Sequence, residues 1–249
     1  MNNIYYNMIF KRKSFHIFKE VLSLTSYDLQ LIEAQMKQLE PLSKDIKFAF
    51  RIVPKTKTTC KRGEYCILIY SEVKENYLQN IGYLGEQLDL WLASKNIGVC
   101  WYGVGNPIEP NLNGLDFIIM LTIAKTDEKN FRKDYKKSKR KPLDDIWIGK
   151  QYHTISNVIR FAPSACNTQP WLIEYQENQL PLYRVKGKRG IMPQDKVTYY
   201  NRIDIGIMLL FIDMCLAHEG YSFRRELLID FTLEEDKVLN ARYFFSRNL

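Results

Sequence analysis

The segment Ala162-Pro163-Ser164-Ala165-Cys166-Asn167-Thr168-Gln169-Pro170-Trp171 sets two prolines and a run of short polar residues just ahead of a tryptophan. Proline at 163 cannot continue a helix, Ser164 and Asn167 favour turns, and Gln169-Pro170 leads into extended chain. The segment therefore reads as the exit from one helix and the start of a strand. Its surroundings agree. Tyr152 to Phe161 has the pattern of a short helix, and Trp171 to Tyr175 and Leu180 to Val185 read as strands. Ile203 to Ala217 is a long apolar helix closed by Gly220, with strands expected at Tyr221 to Phe231 and Val238 to Phe245.

The same order occurs earlier in the chain. Leu29, Ile32, Met36 and Leu39 fall at helical spacing in Ser26 to Leu39, with Thr25 or Ser26 as cap and Pro41 beyond. Phe48 to Val53 and Tyr65 to Tyr70 read as strands. Tyr77 to Asn96 is a long helix through Ile81, Leu84 and Leu88, with Gly98 as its expected left-handed end. Phe117 to Ala124 is a buried strand. A constant shift of 122 lays Pro41 on Pro163, Ile81 on Ile203, Leu88 on Leu210 and Gly98 on Gly220. The expectation is an α+β protein of two homologous halves, 1–135 and 136–249, intertwined in one unit. Lys125 to Lys141, basic and without periodicity, reads as a linker or extended arm between them.

Composition narrows the function. At 249 residues, 46% hydrophobic and 26% charged, the chain can bury a sizeable core without staples. Five cysteines with no C-x-x-C spacing read as reduced, mostly buried thiols. No apolar run approaches the roughly 18 residues of a membrane span, and no secretory signal is legible, so a cytoplasmic location is expected. The net charge of +8 suits a solvated basic surface or an anionic ligand. No nucleic-acid-binding pattern accompanies it, so nucleic acid and membrane are not expected partners. Three histidines lack metal spacing, and Gly103-x-Gly105 lacks the third glycine of a dinucleotide-binding turn.

Four segments carry a resemblance: Arg12-Lys13-Ser14-Phe15-His16-Ile17-Phe18, Gly98-Val99-Cys100-Trp101-Tyr102-Gly103-Val104-Gly105, Ser138-Lys139-Arg140-Lys141-Pro142-Leu143, and the Ala162 to Trp171 stretch. Together they resemble the nitroreductase family, the FMN-dependent NAD(P)H oxidoreductases. Its A-P-S-x-x-N-x-Q-P-W motif stands almost letter for letter at 162–171. The resemblance implies a nitroreductase-like fold that binds FMN, takes hydride from NAD(P)H and reduces a nitroaromatic, quinone or similar acceptor. It implies that Arg12, Lys13, Ser14 and His16 hold the ribityl chain, pyrimidine edge and phosphate, His16 standing where the family has Arg or Lys. It places Gly103, Val104 and Gly105 at the ring, Arg140 on the phosphate with Lys139 as a second candidate, and Pro163, Ser164, Ala165, Asn167 and Gln169 in the loop that packs over the flavin. No side chain need act as nucleophile or acid; Cys166 reads as a small buried thiol rather than a catalytic one, and no metal is expected.

The departures from the family pattern are complementary. The first half has Glu40-Pro41-Leu42-Ser43 where the A-P-S motif would stand, and the second half has Gly149-Lys150-Gln151-Tyr152 where the R-x-S opening would stand. In the family's dimer those two elements meet across the subunit interface. The expectation is a covalent pseudo-dimer with one complete FMN site, either monomeric or further paired as a homodimer. The same fold hosts dehalogenating and flavin-consuming enzymes, and a flavin-binding protein without efficient turnover fits the residues as well.

Overall fold

Two long helices cross at the centre of the molecule, backbone against backbone. The computed structural model describes residues 3–186, 189–230 and 236–247. In chain order the elements are α1 (Asn3–Lys11), β1 (Val21–Leu22), α2 (Ser26–Met36), β2 (Phe48–Pro54), β3 (Tyr65–Ser71), α3 (Tyr77–Ser94), β4 (Ile97–Tyr102), β5 (Asn111–Leu112), β6 (Leu115–Thr126), β7 (Trp147–Ile148), α4 (His153–Ile159), β8 (Trp171–Glu174), β9 (Gln179–Val185), α5 (Val197–His218), β10 (Tyr221–Leu227) and β11 (Lys237–Arg247). The central pair is α3 and α5. A Cβ on Gly82 would lie 1.9 Å from the Ile203 carbonyl oxygen, and one on Gly206 would lie 1.9 Å from that of Gln79. Only glycine permits this approach, so the two positions fix where the helices cross.

Each helix then buries its apolar residues against a different sheet. On α3, Ile81, Leu84 and Leu88 pack with Ile67 and Ile69 of β3 and Leu121 and Ile123 of β6. On α5, Leu209, Ile212 and Leu216 pack with Trp171, Ile173, Leu182 and Tyr243. Burying one such aliphatic side chain contributes roughly 1.5–3 kcal/mol, which is why the helices lie inside rather than on the surface. The first sheet runs β2-β3-β6-β4 and the second β8-β9-β11-β10, every neighbouring pair antiparallel. Short β1 and β5 also pair with β6, and β7 adds to β8 in parallel. Both third strands carry a bulge: β6 skips Ile118 against β3, and β11 skips Asn240 against β9.

The sequence reading needs five corrections. Gly98 does not end α3; it lies inside β4, where a Cβ would sit 2.9 Å from the Phe15 ring. The left-handed residue after α3 is Asn96 (φ 57°), whereas Gly220 (φ 76°) does close α5. Residues 125–141 are not a free arm: Lys125 and Thr126 belong to β6, Phe131 is buried, and short 3-10 turns follow at Glu128–Asn130 and Tyr135–Lys137. Cys166 is exposed, while Cys60, Cys66, Cys100 and Cys215 are buried. The helix α1, which carries the chain to Arg12, has no counterpart in the sequence reading. The strand expected to reach Phe231 ends at Leu227, and Phe231 lies outside the described residues. Among the described residues no helix is long and apolar enough to cross a membrane.

Candidate functional site

A cavity of about 660 Å³ lies beside the end of β4 and one face of α5 and brings together residues far apart in the chain. Its lining includes Arg12, Ser14 and His16, the Trp101 to Val104 turn, Arg132, Ser138 to Arg140, Pro163 to Asn167, Ile191 to Pro193, and Tyr200, Ile203, Asp204 and Ile207 of α5. Volumes of roughly 300–1,000 Å³ are usual for cofactor and small-molecule sites. Of the residues expected at a site, Arg12, Ser14, His16, Gly103, Val104, Arg140, Pro163, Ser164, Ala165 and Asn167 line it; Lys13, Gly105 and Gln169 do not.

Extended chain explains the first group. Phe15 N–H donates to the Val99 carbonyl (2.9 Å) and Ser14 bridges to Val99, so residues 12–16 run beside β4. Side chains alternate along such a segment. Arg12, Ser14 and His16 reach the cavity, while Lys13 lies with its ammonium 4.8 Å from the Phe15 ring centre. Phe15 itself is buried with Phe18 and Phe131. Gly105 is set against Tyr102 and Met120 and serves the turn rather than the cavity.

One end of the cavity is cationic. Arg12 is buried, its Nη2 2.8 Å from Asp89 Oδ2 and its Nε 3.7 Å from Glu86 Oε1. Those N–H groups are not aligned on the oxygens, so the contact is an ion pair rather than a hydrogen bond. Burial would lower the Arg12 pKa, but the two carboxylates of α3 outweigh it and raise it. Burial pushes the Glu86 carboxyl well above its ordinary range, against the pull of Arg12. Among the described residues Arg132 and Arg140 have no such partner. Burial, then the charge of Arg12, brings each down to about 10, with Arg132 and Arg160 adding to the effect on Arg140. Arg132 Nη1, Arg140 Nε and Ser138 Oγ are buried without hydrogen-bond partners. Buried donors beside like charges form a ready anion site, because each unsatisfied group costs free energy until an acceptor arrives.

The Pro163 to Gln169 loop is strained and heavily braced. Cys166 (φ 51°), Asn167 (φ 55°) and Gln169 (φ 50°) are all left-handed, a conformation that costs of order 1–3 kcal/mol per residue and persists only where surroundings enforce it. The enforcement is visible. Arg140 Nη1 donates to Asn167 Oδ1 (2.9 Å) and Asn167 Nδ2 to the Lys139 carbonyl (3.1 Å). Gln169 accepts from Lys141 N–H through Oε1 (2.8 Å), while its own N–H donates to Ser164 Oγ (2.9 Å). Gln169 is therefore a buried brace between the loop and the basic stretch. Cys166 faces the cavity beside the loop 189–193.

The remaining wall is a stripe of α5. Tyr200, Ile203, Asp204 and Ile207 fall three and four residues apart and share one face. Tyr200 Oη donates to the Gly103 carbonyl (2.5 Å), and Asp204 Oδ1 accepts from Ala165 N–H (2.9 Å). Burial raises the Asp204 carboxyl well above its usual range, with only the Ala165 amide opposing. Exposed Val104 and Ile191 give this end an apolar rim. Sequence reasoning missed Arg62, Arg132, Tyr200 and Asp204. The signal for Asp204 was present: an acid inside Ile203-Asp204-Ile205-Gly206-Ile207, otherwise an apolar run. Arg62, whose Nη1 lies 3.4 Å from His16 Nδ1, arrives from the loop before β3 and carried no signal.

Residues 3–216 match the family model described as "Putative TM nitroreductase". No protein of curated function matches the chain. Among solved structures, a putative nitroreductase from Thermotoga maritima MSB8 is 16% identical with a TM-score of 0.62, covering 98% of this chain and 94% of that one. A nitroreductase family protein from Clostridium novyi NT is 18% identical with a TM-score of 0.40, covering 54% of this chain and 90% of that one. At such identity the first likeness speaks for the fold alone: a mixed α+β architecture shared along nearly the whole chain.

Proposed function

Since the chain belongs to the TM nitroreductase family, we propose that it is an FMN-dependent oxidoreductase with a single FMN site in the cavity between its halves. The observation that carries this reading is the convergence of residues 12–16, 138–140 and 163–167 on one cavity whose cationic end holds unpartnered buried donors. Those donors fit a phosphate. Arg132, Arg140 and Ser138 would hold it, with Arg12 contributing charge while its own geometry is fixed by Asp89. Guanidinium suits this task because it stays charged and forks onto phosphate oxygens. Charge-assisted hydrogen bonds contribute about 1.5–3 kcal/mol each, so two suffice to retain a non-covalent cofactor when joined to burial of the ring. Ser14 and Asn167 would face the polar edges, and Tyr102, Ile203 and Ile207 the flat apolar faces.

Bound FMN would supply two-electron exchange between NAD(P)H and a nitroaromatic, quinone or similar acceptor. The chain's own part is to position the ring and shield it. Tyr200 pins the Gly103 turn, the braced loop at 163–167 closes one side, and the apolar rim at Val104 and Ile191 leaves the other side open to small flat molecules.

The single site follows from a proposed duplication of 1–135 and 136–249. Four observations support it: equal strand order in the two sheets, equal directions, β6 and β11 beginning 122 residues apart, and their bulges at Ile118 and Asn240 also 122 apart. The test is direct. The purified protein should be yellow, carry about one FMN per chain, bleach with NADH or NADPH and recover with a quinone or nitroaromatic. A colourless preparation that takes up no added FMN would overturn the cofactor assignment; yellow protein that no nicotinamide bleaches would reduce it to flavin binding. Mass in solution would distinguish a monomeric pseudo-dimer from a homodimer, and cell fractionation would check a cytoplasmic location.

A further inference from the structure

Besides its arginines, the cavity is lined by one buried carboxyl that pairs with none of them among the described residues, Asp204. Asp204 sits on α5 in the middle of the apolar stripe formed with Tyr200, Ile203 and Ile207. It is 3% exposed. Its Oδ1 is engaged by the Ala165 amide, which fixes the carboxyl plane, while Oδ2 is buried and has no partner. No ion pair to Asp204 occurs among the described residues, in contrast to Asp89, Asp213 and Asp230, the other buried aspartates, each of which holds an arginine. The cavity it lines also presents Ser164, Cys166, Asn167, Met192 and Pro193, and the hydroxyl of Tyr200, which is already committed to the Gly103 carbonyl.

An ionised carboxylate in such surroundings would be costly, since neither a cation nor more than one N–H supports it. A neutral carboxyl fits them: Oδ1 accepts from Ala165 and Oδ2 carries an O–H that needs an acceptor. We propose that Asp204 is a ligand-binding residue whose Oδ2–H donates a hydrogen bond to an uncharged acceptor, a carbonyl or ring nitrogen, on the heterocycle of the bound flavin. The proposal rests on the FMN reading and adds to it a donor for the ring. Burial raising the Asp204 carboxyl pKa is consistent with this donor state.

The ring and phosphate ends separate experimentally because riboflavin has the ring and no phosphate. The experiment is fluorescence titration of the flavin-stripped full chain with FMN and with riboflavin, for wild type, Asp204→Ala, Asp204→Asn and Arg132→Ala. Asp204→Ala should weaken both flavins about tenfold, the value of one lost hydrogen bond of this kind. Asp204→Asn should stay near wild type, because its amide oxygen accepts from Ala165 and its Nδ2 replaces the O–H donor. Arg132→Ala, which removes a cation that does not brace the 163–169 loop, should weaken FMN and leave riboflavin unchanged. Infrared difference spectra should show a protonated-carboxyl stretch in wild type that shifts when either flavin is added, and this shift should be absent from both Asp204 variants, in which Glu86 is retained; a carboxyl that only held the loop would not shift. The proposal falls if Asp204→Ala binds both flavins like wild type, if Asp204→Asn loses as much as Asp204→Ala, or if the wild-type shift is absent. If wild type binds neither flavin, the FMN reading falls and takes this proposal with it; binding by wild type with an unaffected Asp204→Ala sinks the Asp204 role alone.

Discussion

Helices α3 and α5 hold corresponding places in the two sheets, yet their buried charges are arranged in opposite ways. On α3, Glu86 and Asp89 face inward and bind Arg12. The positions 122 residues later on α5 are Met208 and Phe211, and there is nothing to bind. Conversely α5 presents Asp204 to the cavity, and the position 122 residues earlier on α3 is Gly82, where the helices touch. On α3 both of these carboxyl groups face one arginine; on α5 Asp213 holds Arg225, while Asp204 Oδ2 is left without a partner. The lesson is that a paired framework can carry an unsymmetrical site, because each helix needs only half of the polar groups.

The comparison is most exposed to loss of Arg12. Replacing it with Ala strands Glu86 and Asp89 in the interior, and the expected cost is about 3–5 kcal/mol in urea unfolding. Asp204→Asn breaks no ion pair and should leave the unfolding midpoint at or above that of wild type. Equal losses at the two sites would erase the distinction between the helices. Next in size, Arg140→Ala and Arg132→Ala should each reduce FMN affinity by about 10- to 100-fold, measured by titration of the stripped protein, since each removes a charge-assisted bond. Gly206→Ala should cost about 1–3 kcal/mol, because a methyl group meets the Gln79 backbone and the crossing must open; Gly82→Ala should match it if the contact is shared evenly. The smallest effect is expected at the helix ends. Gly220→Ala, with open space around it but a left-handed φ, should cost about 1 kcal/mol in thermal unfolding. Asn96→Ala should cost less than that, as asparagine already bears part of the strain.

The sequence disclosed what depends on neighbours along the chain. Helix α2 shows its Thr25–Asp28 capping box, and α3 and α5 show their periodic leucines and isoleucines. The loop at 163–169 was legible because its composition is dictated by a proline, a strained turn and the partners that enforce it. The sequence hid what depends on alternation and packing. Lys13 was assigned with Arg12 and Ser14 because three adjacent residues look alike as text, whereas extended backbone sends the middle one away. Gly98 passed for a helix end since glycine is the usual choice there; the turn instead uses Asn96, and Gly98 makes room for Phe15. Arg132 lies in a stretch without periodicity, held by the burial of Phe131 and by its own amide donating to the Lys11 carbonyl, neither of which leaves a pattern.

Tyr200 grips Gly103 and, one turn further along α5, Asp204 grips Ala165. Both flanks of the cavity are thus referenced to a single rod, and the slot between them is gauged by the pitch of that rod instead of by how loosely the flanks meet each other. The Gly103 turn and the Ala165 loop take their separation from one helical turn of α5, and a change in that helix would be felt by both.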